Sequence, residues 1–381
     1  MKIIKMKAWL LPIFLSISLL LSACAFGSPS FDRKAMFRDI TQNVILPAHE
    51  AFVSESALLV QKVHAFQAEP TVEKLEALQA QWKQVSLAWK ACELFELGPV
   101  QEVFIHNLIH KWPTNPKLIE EHLASADSID QDLIDSIGST SKGLPAIEYL
   151  IFWNMPEGGS DDLDNTAILS SLTDAPDGPK RMQYLVELVK NLHHESQILL
   201  NIWERSGKNY AEDFINADSD GGELQSSISM LTNAMVAQLE EMLKMNLGDP
   251  LGHSTYGKPQ PDKVEAGRSE HSLPKLIRNL ETFKIAFNGG PSEEQLGFDD
   301  YLDFLDAQYE NEALSAKINA QTDAALAALK AIDGPLHVAV VEHPDQVRAA
   351  HEELKQLLVL IKADMVNHFG VTITFNDNDG D

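Results

Sequence analysis

Leu75, Leu78, Trp82, Val85, Trp89, Cys92 and Phe95 follow one another at intervals of three and four residues, the spacing of one buried face of an α-helix. The same period recurs before this stretch, in Ile45, Phe52, Leu59, Val63 and Phe66. It returns after it in Met182, Leu185, Leu188, Val189, Leu192, Leu199 and Trp203, and again in Ile228, Leu231, Met235, Leu239 and Leu243. Two tryptophans in one stripe are most simply core, because each buries a large apolar area. Alternation of the kind a strand needs appears only in Val371-Thr372-Ile373-Thr374-Phe375, which would have no partner strand and reads as an extended segment laid on helices. The expected fold is all-α.

Helices are predicted over 32–68 (bent or interrupted at Pro47), from Thr71 to before Gly98-Pro99, within 127–137, from Gly143, and over 180–205, 223–246, 262–288, 299–332 (continuous or broken) and 344–369. The stretch 154–179 is rich in Gly, Asp and Pro and is the best domain boundary. The expected plan is two helical-bundle domains packed side by side with a junction cleft, 33–160 and 180–381, joined by a linker loop over 161–179. The Gly- and Pro-rich loop 248–261 is long enough to be lid-like.

The first residues stand outside that plan. Lys2, Lys5 and Lys7 precede an apolar run, Ala8 to Leu21, too short to span a bilayer comfortably. It ends in Leu21-Ser22-Ala23-Cys24, the pattern of a bacterial lipoprotein signal, with an ordinary secretory cleavage as the alternative. Residues 1–23 are then a signal peptide, Cys24 is lipidated, and 24–32 form a tether. Only Cys92 is left, so no internal disulfide is available and packing must hold the fold. Ala25 rather than Asp after the cysteine points to the outer membrane, facing the periplasm or the surface.

A formal charge of −26, more negative still without the leader lysines, repels nucleic acid and anionic head groups. It suits a soluble coat, and it also concentrates cations.

The stretch Gly143 to Phe152 poses the sharpest question. Pro145 suits a first helical turn, and Leu144, Ile147, Leu150 and Ile151 recur at helical spacing. Glu148 falls on the same side. A carboxylate there must be paired, hydrogen-bonded or bound to a ligand. A buried arginine or the end of a neighbouring helix is the plainer partner, a ligand the sharper one. Glu93, one turn after Trp89, is a second acid on a packed face. Arg268, Ser269, Ser272 and Asn279 are placed on one helix facing water or a cleft.

Signatures of familiar chemistry are missing: there is no His-Glu-x-x-His, phosphate-binding Gly-rich loop, G-x-S-x-G elbow or cysteine cluster. His193-His194-Glu195 lacks the spacing to put two ligands on one face. His106 and His110, four apart, could chelate a metal on a helix or mark a polar helix end. Asp377, Asp379 and Asp381 resemble the start of a calcium loop without its distal glutamate.

Taken together, Trp82-x6-Trp89-x3-Glu93-x-Phe95-x2-Gly98-Pro99, Gly143 to Phe152, Arg268-Ser269-x2-Ser272-Leu273, and His368 to Asn376 through Asp381 resemble the imelysin-like family of bacterial envelope proteins. The resemblance runs from about residue 33 to the end. It implies two helical bundles with a site at their junction, an envelope location and a link to iron uptake. Some members are called metallopeptidases on the strength of a Gly-x-His-x-x-Glu motif. Here the aligned residues are Gly143 to Glu148, and the histidine position holds Pro145, which has no lone pair for a metal. No His-x-x-Glu occurs elsewhere.

The resulting expectation is a non-catalytic binding or accessory lipoprotein of iron acquisition, with Glu93, Gly143, Glu148, Arg268 and Ser272 around a junction pocket. Glu93 and Glu148 are the candidate metal ligands, for iron or another divalent or trivalent cation. The expected partners are the membrane, through Cys24, and proteins of metal uptake, with no nucleic acid. A metallopeptidase with another ligand set and a structural, partner-docking lipoprotein stand as alternatives. A site for Glu148 near its helix N-terminus would ease its ionisation.

Overall fold

The structure, a computed structural model, describes residues 30–152, 164–217 and 226–374. The signal peptide, Cys24, residues 153–163 and the acidic tail from Phe375 lie outside the described residues. The rest of the expected linker loop is described and is not a loop: it holds a helix, Asn165–Thr173, capped by the Asp164 side chain. Nearly every regular element is a helix, as the 3.6-residue period demands.

Arg33–Ile40 passes through a π-helical turn, Thr41–Ile45, into α1 (Leu46–Ala68). Pro47 therefore does not break the helix. Its ring and missing N–H cannot be fitted into an ordinary α-turn, and the widened turn just before it takes up the mismatch. α2 (Val72–Cys92) starts at Thr71, whose side chain accepts the Lys74 N–H, and buries its whole apolar stripe from Leu75 to Cys92. α1 packs along α2 and along α5 (Gly178–Trp203). Between them in sequence come α3 (Ile105–Ile109) and α4 (Gly143–Phe152), both packed on α5. In α4 every residue from Gly143 to Ile151 is buried.

The second half contributes α6 (Ser227–Glu241), α7 (Ser272–Phe287), α8 (Leu314–Lys330) and α9 (Pro344–Val359). α8 packs on α7 and α9, and α7 crosses to α2. α6 and α9 each continue into a π-helical segment, Met242–Gly248 and Leu360–Met365. The expected helix over 299–332 is divided: Phe298–Phe304 and α8 flank a two-residue hairpin, Gln308–Tyr309 against Glu312–Ala313. The stretch 371–374 is extended. Thr374 N–H donates to Asn233 Oδ1 at 2.8 Å and Asn233 Nδ2 donates to the Thr372 carbonyl at 3.1 Å, which ties the segment to α6.

One further expectation is corrected. Residues 264–271 are turns, so α7 begins at Ser272 instead of 262, and Arg268 and Ser269 are not helical. Ala266 and Glu270 take positive φ of 52° and 55°, a conformation that costs residues with a side chain free energy and ends any helix. The division into two bundles is not shown: from Arg33 onward the chain clusters as one unit.

His49, buried in α1, shows how dry this core is. Its Nδ1–H donates to the Ile45 carbonyl at 2.7 Å, and its ring lies 5.8 Å from that of Trp203. Burial lowers its pKa to about 4, against the raising effect of that hydrogen bond. Because the folded value lies below the unfolded one of about 6.5, the stabilisation is complete above that pH and is lost as pH falls toward 4, about 3 kcal/mol in all. Asp299, raised to about 7 by burial, works in the opposite sense, so the test must be local. The His49 ring signals in NMR should stay at their neutral positions down to pH 5. A midpoint near 6.5 would refute the assignment.

Candidate functional site

Several charged side chains meet where α2, α3, α7 and the turns before α7 converge. At the end of α2, Lys90 Nζ donates to both carboxylate oxygens of Glu93 at 2.8 Å. It also lies 3.4 Å from Glu265 Oε1. That oxygen is 3.0 Å from His110 Nε2 and is in closer contact with Lys275 Nζ. Lys275 Nζ stands 3.0 Å from His110 Nε2 as well. Asn279 Nδ2 donates to Glu93 Oε2 at 3.0 Å, and Asn246 Nδ2 to Glu265 Oε2 at 3.2 Å. The side chains of Lys90, Glu93, Glu265 and Lys275 are only 2–8% exposed. Charges so far from water persist only because each is paired.

Local structure explains the convergence. Ser272, Lys275 and Asn279 are one turn apart along α7 and share a face. The non-helical turns carry Glu265 up to that face, and Ser272 Oγ donates to the Glu265 carbonyl. The π-helical segment after α6 delivers Asn246, a displacement of side chains that a regular helix would not give. α3 opens at Phe104, whose φ is 51°, and carries His106; His110 follows at its C-terminal end. Gly143, with φ +74°, lets α4 begin directly against the Leu108 and Ile109 carbonyls of α3.

The protonation states follow from this packing. Burial alone would raise Glu93, but Lys90, then His110 and His106, hold it below the usual range. Glu265 is pushed well below by Lys275, Lys90 and His110, again against burial. Burial would lower Lys90; Glu265, Glu93 and Glu241 outweigh that and raise it. At Lys275 burial wins and the net shift is downward. Burial and the Lys275 charge depress His110 to about 3, so it is neutral. His106 is the contrary case. Burial opposes its charge, but Glu96, whose Oε1 is 2.7 Å from His106 Nδ1, lifts it to about 9.

Beside this cluster lies a cavity of about 870 Å³, lined among others by Glu93, Glu96, His106, His110, Glu241 and Glu265. Glu241 is open to the cavity yet surrounded by protein; burial, and then the Glu93 charge, raise it to about 7. Glu93, His106 and His110 can each offer one donor atom, all within 4.8 Å of one another. Among the described residues this is the one grouping of three such donors.

An imelysin (peptidase M75) family model matches residues 45–364. The chain belongs to the imelysin family. Two solved structures share its fold. One is an imelysin-like protein from Psychrobacter arcticum 273-4, 18% identical, with a TM-score of 0.70 over 90% of this chain and 97% of that chain. The other is described as an iron-regulated protein A precursor from Parabacteroides distasonis ATCC 8503, 20% identical, with a TM-score of 0.67 over the same shares. At these identities the likeness establishes the fold alone. No match was found among curated protein sequences.

The imelysin motif residues stand apart from the donor group. Glu148, 3% exposed, accepts the Ser269 N–H at 2.8 Å. Burial raises its pKa, outweighing Lys275, Ser269 and Arg268. The expected ease of ionisation is thus corrected: Glu148 sits in the second turn of α4, beyond the first turn where the helix dipole acts most strongly. Arg268 lies over the Tyr149 ring, 5.4 Å from its centroid. Of the five candidate pocket residues, Glu93 lines the cavity and Gly143, Glu148, Arg268 and Ser272 do not. His193 is elsewhere, its Nδ1 2.9 Å from Ser56 Oγ. Lys90, Glu96, Glu241, Asn246, Glu265 and Lys275 were not singled out from sequence. The available signal was a lysine inside each of two apolar stripes, one turn from a candidate acid or amide.

Proposed function

We propose that this imelysin-family protein is a lipoprotein, anchored through Cys24, that binds a metal cation in envelope iron acquisition and does not hydrolyse a substrate. One observation carries the reading: three metal-donor side chains converge on a cavity wall while the motif histidine is replaced by Pro145. Lys90 already engages both oxygens of Glu93, so a metal cation would take a place now held by an ammonium and must compete with it.

The leader ending in Leu-Ser-Ala-Cys supports the envelope location. No helix among the described residues is long and apolar enough to cross a membrane, so the lipid would be the anchor, on the outer membrane by the Ala25 argument. Uptake proteins are the expected partners, and the acidic surface disfavours nucleic acid. The iron-regulated relative is in keeping with this role.

A second reading is favoured by Glu241. A carboxylate with a pKa of about 7 beside two imidazoles and a glutamate is also how a zinc hydrolase sets up a general base. One pair of measurements separates the two. Cells lacking the protein should accumulate less radioactive iron under iron limitation, restored by the wild-type chain. Purified protein with zinc should leave a denatured substrate uncut. Normal iron accumulation with zinc-dependent cleavage would replace the first reading by the second.

A further inference from the structure

The geometry points to Glu93, His106 and His110 as the three protein ligands of one divalent transition ion, with Glu96 and Glu265 orienting the imidazoles and Lys90 holding the ion's place in its absence. This rests on the binding reading above and names the ligand class.

Each histidine has a carboxylate on one ring nitrogen, which leaves the other nitrogen for a metal. Glu96 Oε1 is 2.7 Å from His106 Nδ1, which keeps a proton on that nitrogen. The raised pKa makes the ring an imidazolium without metal, so an ion binding at Nε2 displaces the second proton. Glu265 Oε1 is 3.0 Å from His110 Nε2, but Lys275 Nζ, a donor only, is also 3.0 Å from that nitrogen. For Nδ1 to take a metal, the ring proton must stand on Nε2 toward Glu265 and Lys275 must turn away from it. These metal-bound tautomers are assigned from the carboxylate beside each ring. His110 Nδ1 then faces Glu93 Oε1 at 3.8 Å. Two ligand atoms each about 2.1 Å from an ion stand about 3.4 Å apart at a tetrahedral angle, so this pair needs only a slight closure. The full set of three, within 4.8 Å of one another, must draw in further around an ion. Lys275, which also reaches His110 Nε2, is in contact with Glu265 as well. In the metal-bound state it would pair with that carboxylate alone and leave the ring N–H to Glu265.

A carboxylate on the far nitrogen of a ligating histidine is the usual outer-shell device that fixes ring orientation. Two imidazole nitrogens and one carboxylate oxygen suit Fe²⁺, Co²⁺ or Zn²⁺; Ca²⁺ and Mg²⁺ prefer all-oxygen sites. The adjoining cavity leaves coordination positions open to a further ligand. Lys90 is the counterpart of the ion: its ammonium sits at equal distance from both Glu93 oxygens, and a dication reaching Glu93 must move it aside.

The test uses the purified soluble chain from residue 25 onward, titrated anaerobically with Co²⁺, Zn²⁺ or Fe²⁺, and with Mg²⁺ for comparison. Wild type should bind one Co²⁺ and show a visible d–d spectrum. Zinc X-ray absorption should count two imidazoles. His106→Ala and His110→Ala should each weaken binding by about a hundredfold, and Glu96→Gln by about 10–100-fold. Lys90→Met, which removes the competing ammonium, should bind about tenfold tighter. Thermal melts identify any variant that fails to fold, and the imidazole count on wild type decides the matter if some do. One ion bound without imidazole, or unchanged by both histidine variants, overturns this inference and leaves the binding reading standing. No binding of any of the transition ions overturns both.

Discussion

Glu265→Ala should cost about 3–5 kcal/mol of stability, the penalty for stripping one partner from a buried ion cluster. Glu265 sits against Lys90, Lys275 and His110, and it accepts from Asn246. Without it, Lys275 loses its close carboxylate partner, Lys90 keeps only Glu93, and Asn246 loses its acceptor. The cost is thus mainly of charges left uncompensated. Pairing the change with Lys275→Met should therefore recover part of the loss, a coupling that a double-mutant cycle in denaturant reads directly. A single-variant loss under about 1 kcal/mol, or strict additivity of the pair, would show that the cluster is better solvated than its geometry indicates.

Gly143→Ala should destabilise by about 3 kcal/mol, for reasons of backbone alone. The residue has φ +74°, which costs any L-residue with a side chain roughly 1 kcal/mol or more. An added Cβ would also press into the Ile109 carbonyl oxygen and come within 2.7 Å of that of Leu108. These atoms are helix backbone and cannot rotate away. Relief requires α3 to shift, and α3 carries His106. Metal affinity should consequently fall in this variant even under conditions where it remains folded. Urea midpoints and a Co²⁺ titration check the two effects together; wild-type values for both would contradict the packing described.

The sequence made the helices legible because burying one face of a helix imposes a period that needs no tertiary knowledge. α2 and α5 were predicted nearly to their ends. Pro47 misled only in part, since a proline excludes an α-turn but not the π-helical turn that precedes it. The segment before α7 was misread for a different cause. Its apolar spacing is compatible with helix, and two positive-φ residues other than glycine, Ala266 and Glu270, leave no mark in composition. The site suffered most from this. Glu265 reaches the cluster only because that segment is turned, and two of its partners, Lys90 and His110, lie far away along the chain.

The pair His106 and His110 was visible at ligand spacing, and Glu93 as a buried acid. What joined them was the packing of α3 beside the end of α2, which no local pattern encodes. Glu148 drew attention as a carboxylate on an apolar face, and its partner is the plain kind, the Ser269 backbone N–H.

The most direct measurement is an anomalous-difference map from a crystal of the Co²⁺- or Zn²⁺-loaded protein. A single peak about 2.0–2.2 Å from Glu93, His106 and His110, with Lys90 Nζ withdrawn from Glu93, is the predicted result. A peak coordinated by Glu148 beside Pro145, with none between the two histidines, would contradict the account.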